Sequence, residues 1–408
     1  MPHLSDEQLY RALIARDVRF DGVFFVGVTS TRVYCRPVCR APKPRPERCR
    51  YFTTAAAAER RGFRPCLRCR PELAPGEAPT ASSAAGRGAS VDAVGWLARA
   101  AAARIAAGAL DRAGLDALAS ELGVTARHLR RAVERELGAT PVELAQTRRL
   151  LMAKQLLTET ELPLGRVALA SGFGSVRRFN TLFHERYRLA PSALRGRAAA
   201  PARGARTSAG AAGLEMVTLS LGYRPPLDWG ALHTYLAGRA TPGVEAVGDD
   251  GWYWRSVWLD GHHGFVGVGP APGRRAETLR LELAPTLLPV LVPLLARLRR
   301  LFDLDADPHV ISAQLRGDPV LAPLLARRPG LRVPGALDGF ELALRAVLGQ
   351  QVTVRGATTL AGRLAHLGAA PLPGARPAAL THLPVTAERL AEASLASLSA
   401  LGLPRARA

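Results

Sequence analysis

YCRPVC (residues 34–39) and FRPCLRCRP (63–71) decide how the chain begins to fold, because they set Cys35, Cys39, Cys66 and Cys69 in two close pairs. Paired thiols at such spacing are the donor set that tetrahedral Zn²⁺ takes, each tight turn aiming two sulfurs at one ion. The pairs lie among Arg32, Arg36, Arg40, Lys43, Arg45, Arg48, Arg50, Arg64, Arg68 and Arg70, a set of cations that should attract a phosphate backbone. One zinc ion per chain, held beside a polyanion, is therefore expected. Cys49 falls outside either pair, in the loop between them, and reads as a bystander.

The rest of the composition agrees with that setting. A chain of 408 residues has room for roughly two to four domains. Its net charge of +21 is uneven, +15 over residues 1–197 and +6 over the remainder, so nucleic-acid binding should concentrate in the first half. MPHLSDEQLY at the start lacks a basic region followed by an apolar run, so no signal peptide is read. The most apolar stretch, Leu279 to Leu301, holds Glu282, Arg297, Arg299, Arg300 and three prolines, which argues against a membrane span. A cytoplasmic, nucleoid-associated bacterial protein is expected, with cysteines used for metal or thiol chemistry rather than disulfides.

Two Ala/Gly/Pro/Ser-rich stretches lack periodicity and divide the chain into three parts. The first should open with an amphipathic helix showing Leu9, Leu13 and Ile14 on one face. A strand at VFFVGVT, a second at RYFTT and a helix TAAAAERRG closed by Gly62 should follow. The third part mixes short aromatic and β-branched segments (214–221, 252–259, 264–269, 278–283) with later helices, an α+β unit followed by an α unit.

The middle part carries the helix-turn-helix pattern twice. In LDALASELGVTARHLRRAVEREL (115–137), an apolar helix meets a turn at Gly123, and Thr125 caps a second helix with Arg127, His128, Arg130 and Arg131 on its polar side. In LGRVALASGFGSVRRFNTLFHERY (164–187), Gly172 makes the turn and Ser175 the cap, with Arg177, Arg178 and Asn180 displayed. The helix PVELAQTRRLLMAKQLL (141–157) joins the copies. Recognition helices offer their first turns to base edges in the major groove, where Arg reads guanine and Asn reads adenine.

These motifs carry a resemblance. YCRPVC and GFRPCLRCRP (62–71) resemble the zinc domain of the Ada family of DNA methylphosphotriester repair proteins. The run from Ala168 to Phe183, with Gly172, Phe173, Ser175 and Phe179 in register, resembles the AraC-type tandem helix-turn-helix. LSLGYRPPLDW (219–229), LFDLD (301–305), RPGLRVPG (328–335) and AVLGQQVT (346–353) resemble AlkA-type 3-methyladenine DNA glycosylases. The implied architecture is multidomain: a small α/β zinc domain (1–73), a linker (74–89), an all-α tandem helix-turn-helix domain (90–195), a linker (196–213), an α+β AlkA N-terminal-like domain (214–330) and an incomplete all-α helix-hairpin-helix glycosylase domain (331–408).

The resemblance implies that Cys35 is a consumable acceptor, taking a methyl group irreversibly from a DNA methylphosphotriester, while Cys39, Cys66 and Cys69 complete the zinc site. Zinc keeps sulfur as thiolate at neutral pH, and nucleophilicity depends on that form. Methylation turns one anionic sulfur into a neutral thioether, lowering repulsion of phosphate and raising promoter affinity. Thr31, Arg32, Arg36, Arg40 and Arg68 are the expected DNA contacts of the zinc domain, beside those of the two readers. Double-stranded DNA, and RNA polymerase at the promoter, are the expected partners; no membrane is.

Two other readings stay open: a DNA-binding regulator with purely structural zinc, and a glycosylase excising alkylated purines if the carboxyl-terminal domain is completed. The resemblance places a base-flipping wedge at Gln351. It also implies a glycine-rich hairpin and a later Asp, and the chain closes at LGLPRARA (401–408) before either. Catalytic incompetence of the third part is therefore expected, with an apolar face bared along Leu390–Leu403. Asp318 and Asp338 read as cap or surface carboxylates.

Overall fold

A computed structural model describes residues 4–76, 93–198, 216–273, 277–368, 370–372 and 377–402; most of both expected linkers lies outside them. The chain forms two compact units: Met1–Gly204 with Gly222–Pro226 and Leu304–Arg327, and Ala205–Leu221 with Leu227–Asp303 and Arg328–Ala408. The short segments 222–226 and 304–327, which sequence alone assigns to the third part, thus belong to the first unit.

The first unit opens with α1 (Asp6–Ala15), in which Ser5 and Gln8 form a capping box. Leu9, Ala12 and Leu13 are its buried face, and Ile14 is 46% exposed, correcting the expected stripe by one position. Then come β1 (Phe25–Val28), β2 (Val33–Cys35), β3 (Cys49–Phe52), α2 (Ala55–Arg60) and β4 (Arg64–Pro65), the strands ordered β3-β1-β2-β4. β1 runs antiparallel to β2 and β3, whereas β2 and β4 pair in parallel, Tyr34 opposite Pro65. Two of these strands, β2 and β4, are too short to leave a periodic signal and went unread. Gly27 is required at the centre, where a Cβ would come within 2.8 Å of the Phe52 ring and 2.9 Å of the Phe63 ring. Thr54 caps α2, and Gly62 at φ 81° follows it, as the sequence suggests. Residues 74–76, read as linker, are instead held: the Gly76 amide donates to Asp305 Oδ1 at 2.8 Å.

The helical part comprises α3 (Ala93–Ala106), α4 (Ala109–Arg112), α5 (Leu115–Glu121), α6 (Ala126–Leu137), α7 (Pro141–Glu159), α8 (Leu164–Ala170), α9 (Val176–Tyr187) and α10 (Pro191–Ala198). Thr125 accepts from the His128 amide and Ser175 from the Arg178 amide, so both second helices start where the caps foretell. Leu118, Leu129 and Val133 lie buried in the first helix-turn-helix core. Phe173, Phe179, Phe183 and Tyr187 form an aromatic ladder in the second, its last pair stacked at 4.3 Å. Gly172, at φ 91°, sits so near Asp111 that a Cβ would lie 2.4 Å from Oδ2, and Asp111 is paired with Arg149 at 2.7 Å and with Arg148.

After β5 (Val217–Gly222) come α11 (Trp229–Ala237), β6 (Glu245–Val247), β7 (Tyr253–Leu259), β8 (His262–Pro270), β9 (Thr278–Leu283) and α12 (Leu291–Leu301). The strands make a sheet ordered β5-β9-β8-β7-β6, of which β6 was not foreseen. α13 (Pro308–Leu315) and α14 (Leu321–Arg327) lead to α15 (Gly339–Leu348), α16 (Val354–Gly368), α17 (Ala387–Ala391) and α18 (Leu395–Ala400). The apolar face expected to be bared along Leu390–Leu403 is covered only in part: Leu395 stays 58% exposed and Leu403 lies outside the described residues. Leu398 is buried with Leu348, Leu364 and Val385, and Leu390 and Leu401 pack against that cluster, so α15 and α16 cover that part.

Within the second unit a buried ionic network ties the sheet to α15. Arg255, 1% exposed, donates to both oxygens of Glu341 at 2.7 and 2.9 Å, while Tyr253 donates to Glu245 at 2.5 Å and Arg345 pairs with Glu245. Desolvation pushes the Glu245 pKa up, but Arg255 and then Arg345 outweigh it and the net shift is downward. A carboxylate with a depressed folded pKa stabilises the fold above its unfolded value of about 4.3 and stops doing so as pH falls through the lower folded value. Tryptophans 229, 252, 254 and 258 all lie in this unit. Acid titration followed by tryptophan fluorescence should therefore show unfolding below pH ~4, and Arg255→Met, which removes the bidentate partner of part-buried Glu341 and one of the two cations beside Glu245, should cost about 3 kcal/mol in denaturant melts at neutral pH.

Candidate metal centre and nucleic-acid interface

The parallel pairing of β2 with β4 assembles the site. The Cys66 amide donates to Tyr34 O at 2.9 Å, so the second cysteine pair begins where the first strand delivers Cys35. A turn closed by the Cys39 amide on Arg36 O at 3.1 Å folds Cys39 back. The ligand atoms of Cys35, Cys39, Cys66 and Cys69 all lie within 4.8 Å of one another. A tetrahedral ion with Zn–S bonds of about 2.3 Å needs sulfurs about 3.8 Å apart, and the quartet fits that demand. Cys49 is not in the cluster. It is the first residue of β3, not a loop residue, 3% exposed, with Sγ donating to Arg45 O at 3.4 Å.

Four crowded sulfurs cannot all ionise unaided, and the proton sharing shows it. Hydrogen bonds from the neighbouring thiols, Cys35 first, hold Cys66 well below the ordinary range and bring Cys39 down to about 7, while those with Cys39, Cys66 and Cys69 push Cys35 up. Only a bound cation lets all four be thiolates together. Backbone amides discriminate among them. Arg36 N donates to Cys69 Sγ at 3.3 Å, Arg68 N to Cys66 Sγ at 3.4 Å and Ala41 N to Cys39 Sγ at 3.5 Å. No backbone amide among the described hydrogen bonds donates to Cys35 Sγ. An N–H donor stabilises sulfur charge and lowers its reactivity, so Cys35 keeps the most available lone pair. Exposure alone would not have chosen it, because Cys69 is the one member of the quartet that is part-exposed.

The expected DNA contacts and the cations around the quartet sort into two sets. Thr31 and Arg32, at the β1–β2 turn, and Arg40 and Arg68, beside the two cysteine turns, are exposed. Arg36 departs from expectation: Nε donates to Asp21 Oδ1 at 2.8 Å, Nη1 to Cys69 O at 3.2 Å, and its side chain is 11% exposed. It braces the cysteine turns from inside, because Asp21, wholly buried, needs a cation more than solvent does. Sequence reasoning missed Asp21, which no local pattern marks. Lys43 is likewise turned inward onto Leu13 O, and burial lowers its pKa. On the readers, Arg127, His128, Arg130 and Arg131 of α6 and Arg177, Arg178 and Asn180 of α9 are all exposed; Ser175 is exposed but engaged as cap. Gln351 is exposed between α15 and α16 at φ 56°, a left-handed conformation unusual for a residue other than glycine. No helix among the described residues is long and apolar enough to cross a membrane.

Three segments of the chain match known protein families. Residues 8–72 match the metal binding domain of Ada, 118–197 a helix-turn-helix domain and 218–338 the AlkA N-terminal domain. The chain is 40% identical over 407 residues to the probable bifunctional transcriptional activator/DNA repair enzyme AlkA of Mycobacterium tuberculosis, covering 99% of this chain and 77% of that one. It is 39% identical over 194 residues to DNA-3-methyladenine glycosylase 2 of Escherichia coli, covering 46% of this chain and 63% of that one. Over 71 residues it is 42% identical to the bifunctional transcriptional activator/DNA repair enzyme Ada of E. coli, covering 17% of this chain and 20% of that one.

The geometry separates the cysteines by experiment. Cys66→Ser should lose stoichiometric zinc and loosen the β2–β4 junction, whereas Cys49→Ser should keep one zinc per chain; elemental analysis of the purified variants reads both.

Proposed function

As the chain belongs to the family of bifunctional Ada/AlkA-type transcriptional activators and DNA repair proteins, we propose that it removes methyl groups from DNA methylphosphotriesters and thereby switches on its own promoter binding. The observation that carries this reading is the unequal treatment of the sulfurs: among the described residues, backbone amides donate to Cys39, Cys66 and Cys69 and none donates to Cys35. Zinc, when bound by the quartet, supplies the means of keeping sulfur anionic at neutral pH. Cys35 Sγ then attacks the methyl carbon: the S–C bond forms, the C–O bond to the phosphate oxygen breaks, and the electron pair leaves on that oxygen to restore the diester anion. A thioether is a poor methyl donor, so the chain turns over once.

Exposed Thr31, Arg32, Arg40 and Arg68 hold the duplex against the module, and Arg36 orients the turns that carry the sulfurs. Loss of one negative charge from the module removes part of its repulsion of phosphate, which strengthens binding where arginines already neutralise the backbone. Specificity comes from α6 and α9, with Arg127, His128, Arg130, Arg131, Arg177, Arg178 and Asn180 offered to the groove. RNA polymerase is the partner that an activator placed there would recruit.

Excision of alkylated bases is a second reading, favoured by the match of residues 218–338 to the AlkA N-terminal domain; in that reading exposed Gln351 would act as the wedge. Among the described residues, Asp318 and Asp338 cap helices and Glu341 binds Arg255. Methyl transfer at the cysteine quartet is the reading that the described residues carry furthest.

After incubation with methylphosphotriester DNA, peptide mass analysis should find one added methyl, on Cys35. Cys35→Ala should find none, and a methyl on Cys39, Cys66 or Cys69 would refute the assignment. Release of free 3-methyladenine from alkylated DNA by the full chain would establish the second activity.

A further inference from the structure

Tyr34 and Cys35 are neighbours on β2 and point to opposite faces of the sheet, Cys35 into the cluster of sulfurs and Tyr34 into the core with Ala55, Ala58 and Phe63. The Tyr34 hydroxyl donates to Glu59 Oε1 at 3.0 Å, and Glu59 Oε2 accepts from Thr147 Oγ1, on α7, at 2.7 Å. Glu59 is only 3% exposed, and burial raises its pKa. A second bridge starts just past Cys69. Glu72 accepts from Arg70 at 3.1 Å and from Lys154 on α7, and Arg70 donates to Glu159 Oε1 at 2.5 Å. The Lys154 and Glu72 side chains are 1% and 2% exposed. Thr54 Oγ1 donates to Leu137 O at 3.0 Å, and Arg60 pairs with Glu134 at 2.6 Å. The cysteine module is thus joined by buried polar bonds to the helix that connects both readers.

We propose that this seam locks the methyl-acceptor module and the tandem readers into one rigid DNA-binding body, and that the gain in operator affinity on methylation depends on the lock. The inference rests on the acceptor role assigned to Cys35 above. A buried ion pair adds little net stability compared with apolar side chains of the same size, but any slip across it strands a charge in a low dielectric. Its contribution is therefore a fixed arrangement. Two modules on a loose tether bind through an effective concentration that the tether sets, whereas modules held in register with the duplex transmit a change at one to the binding of the other. Tyr34, Glu59, Thr147, Glu72 and Lys154 are positioning residues in this scheme and do not touch the reacting atoms.

The test uses the full chain, a neutral-seam variant carrying Thr147→Val, Glu72→Gln and Lys154→Met, and Thr147→Ser as the conservative control. The probe is a duplex selected from a random library by the methylated wild-type chain. Methylation should tighten wild-type and Thr147→Ser binding by about tenfold or more, whereas the neutral-seam variant should accept one methyl on Cys35 and keep less than about threefold of the gain. A variant with the full gain overturns the proposal. A readout free of methylation is amide exchange along residues 141–159 of the unmethylated protein. Stripping zinc with a chelator should speed exchange in the wild type and leave the variant unchanged; no response in the wild type also overturns the seam. Should the wild type take up no methyl, the acceptor role fails while the exchange result still decides the seam.

Discussion

One short parallel strand pair organises the amino-terminal module. With only Val33–Arg64 and Tyr34–Pro65 in register, β2 and β4 bring cysteines that stand far apart in sequence within reach of one ion, through the bond from the Cys66 amide to Tyr34 O. Pairing this short is weak alone. It holds because β1 supports β2 from its other edge, because α2 covers the face that Tyr34 enters, and because four sulfurs gathered at its end bind a metal that an unfolded chain could not. The alternation of the strand does the rest, sending Cys35 to the cluster of sulfurs and Tyr34 to the core under α2.

Around that junction the cations divide by the cost of burial. Arg36, Arg70 and Lys154 lie beside the buried carboxylates Asp21 and Glu72, where each offsets a charge that could not otherwise leave water. Arg32, Arg40 and Arg68 stay exposed and are available to a polyanion. A count of basic residues cannot make this distinction, since the two sets alternate along the same segment. Arg36 and Arg40 flank the first cysteine pair, yet one is internal bracing and the other surface. The second unit repeats the pattern in its own way: Arg255 is drawn wholly inside by Glu341 and Glu245, and binds sheet to helix.

Much of the helical part was legible because its signals are local. Thr125 and Ser175 cap the helices they precede, Gly123 and Gly172 take positive φ at the turns, and the apolar spacing of 3.6 marks the core faces. The cysteine quartet was equally plain, since metal ligands announce themselves by type and spacing. Less legible were β2, β4 and β6, each of two or three residues, too few for an alternation to show. The partial cover of Leu390, Leu398 and Leu401 was not legible because it comes from Leu348 and Leu364, on helices tens of residues earlier whose packing no local pattern reveals.

The sequence by itself determined the chemistry available to this protein: four thiols at metal-binding spacing, a belt of arginines and two capped recognition helices, all written in residue type and short-range order. Tertiary structure alone decided how that chemistry is apportioned. Which sulfur lacks a backbone donor, which arginine faces inward, and how Glu59 and Glu72 join the metal module to α7 all depend on groups remote in sequence. Hydrogen bonding and desolvation act over a few ångströms of space, and the chain brings those groups together only when it folds.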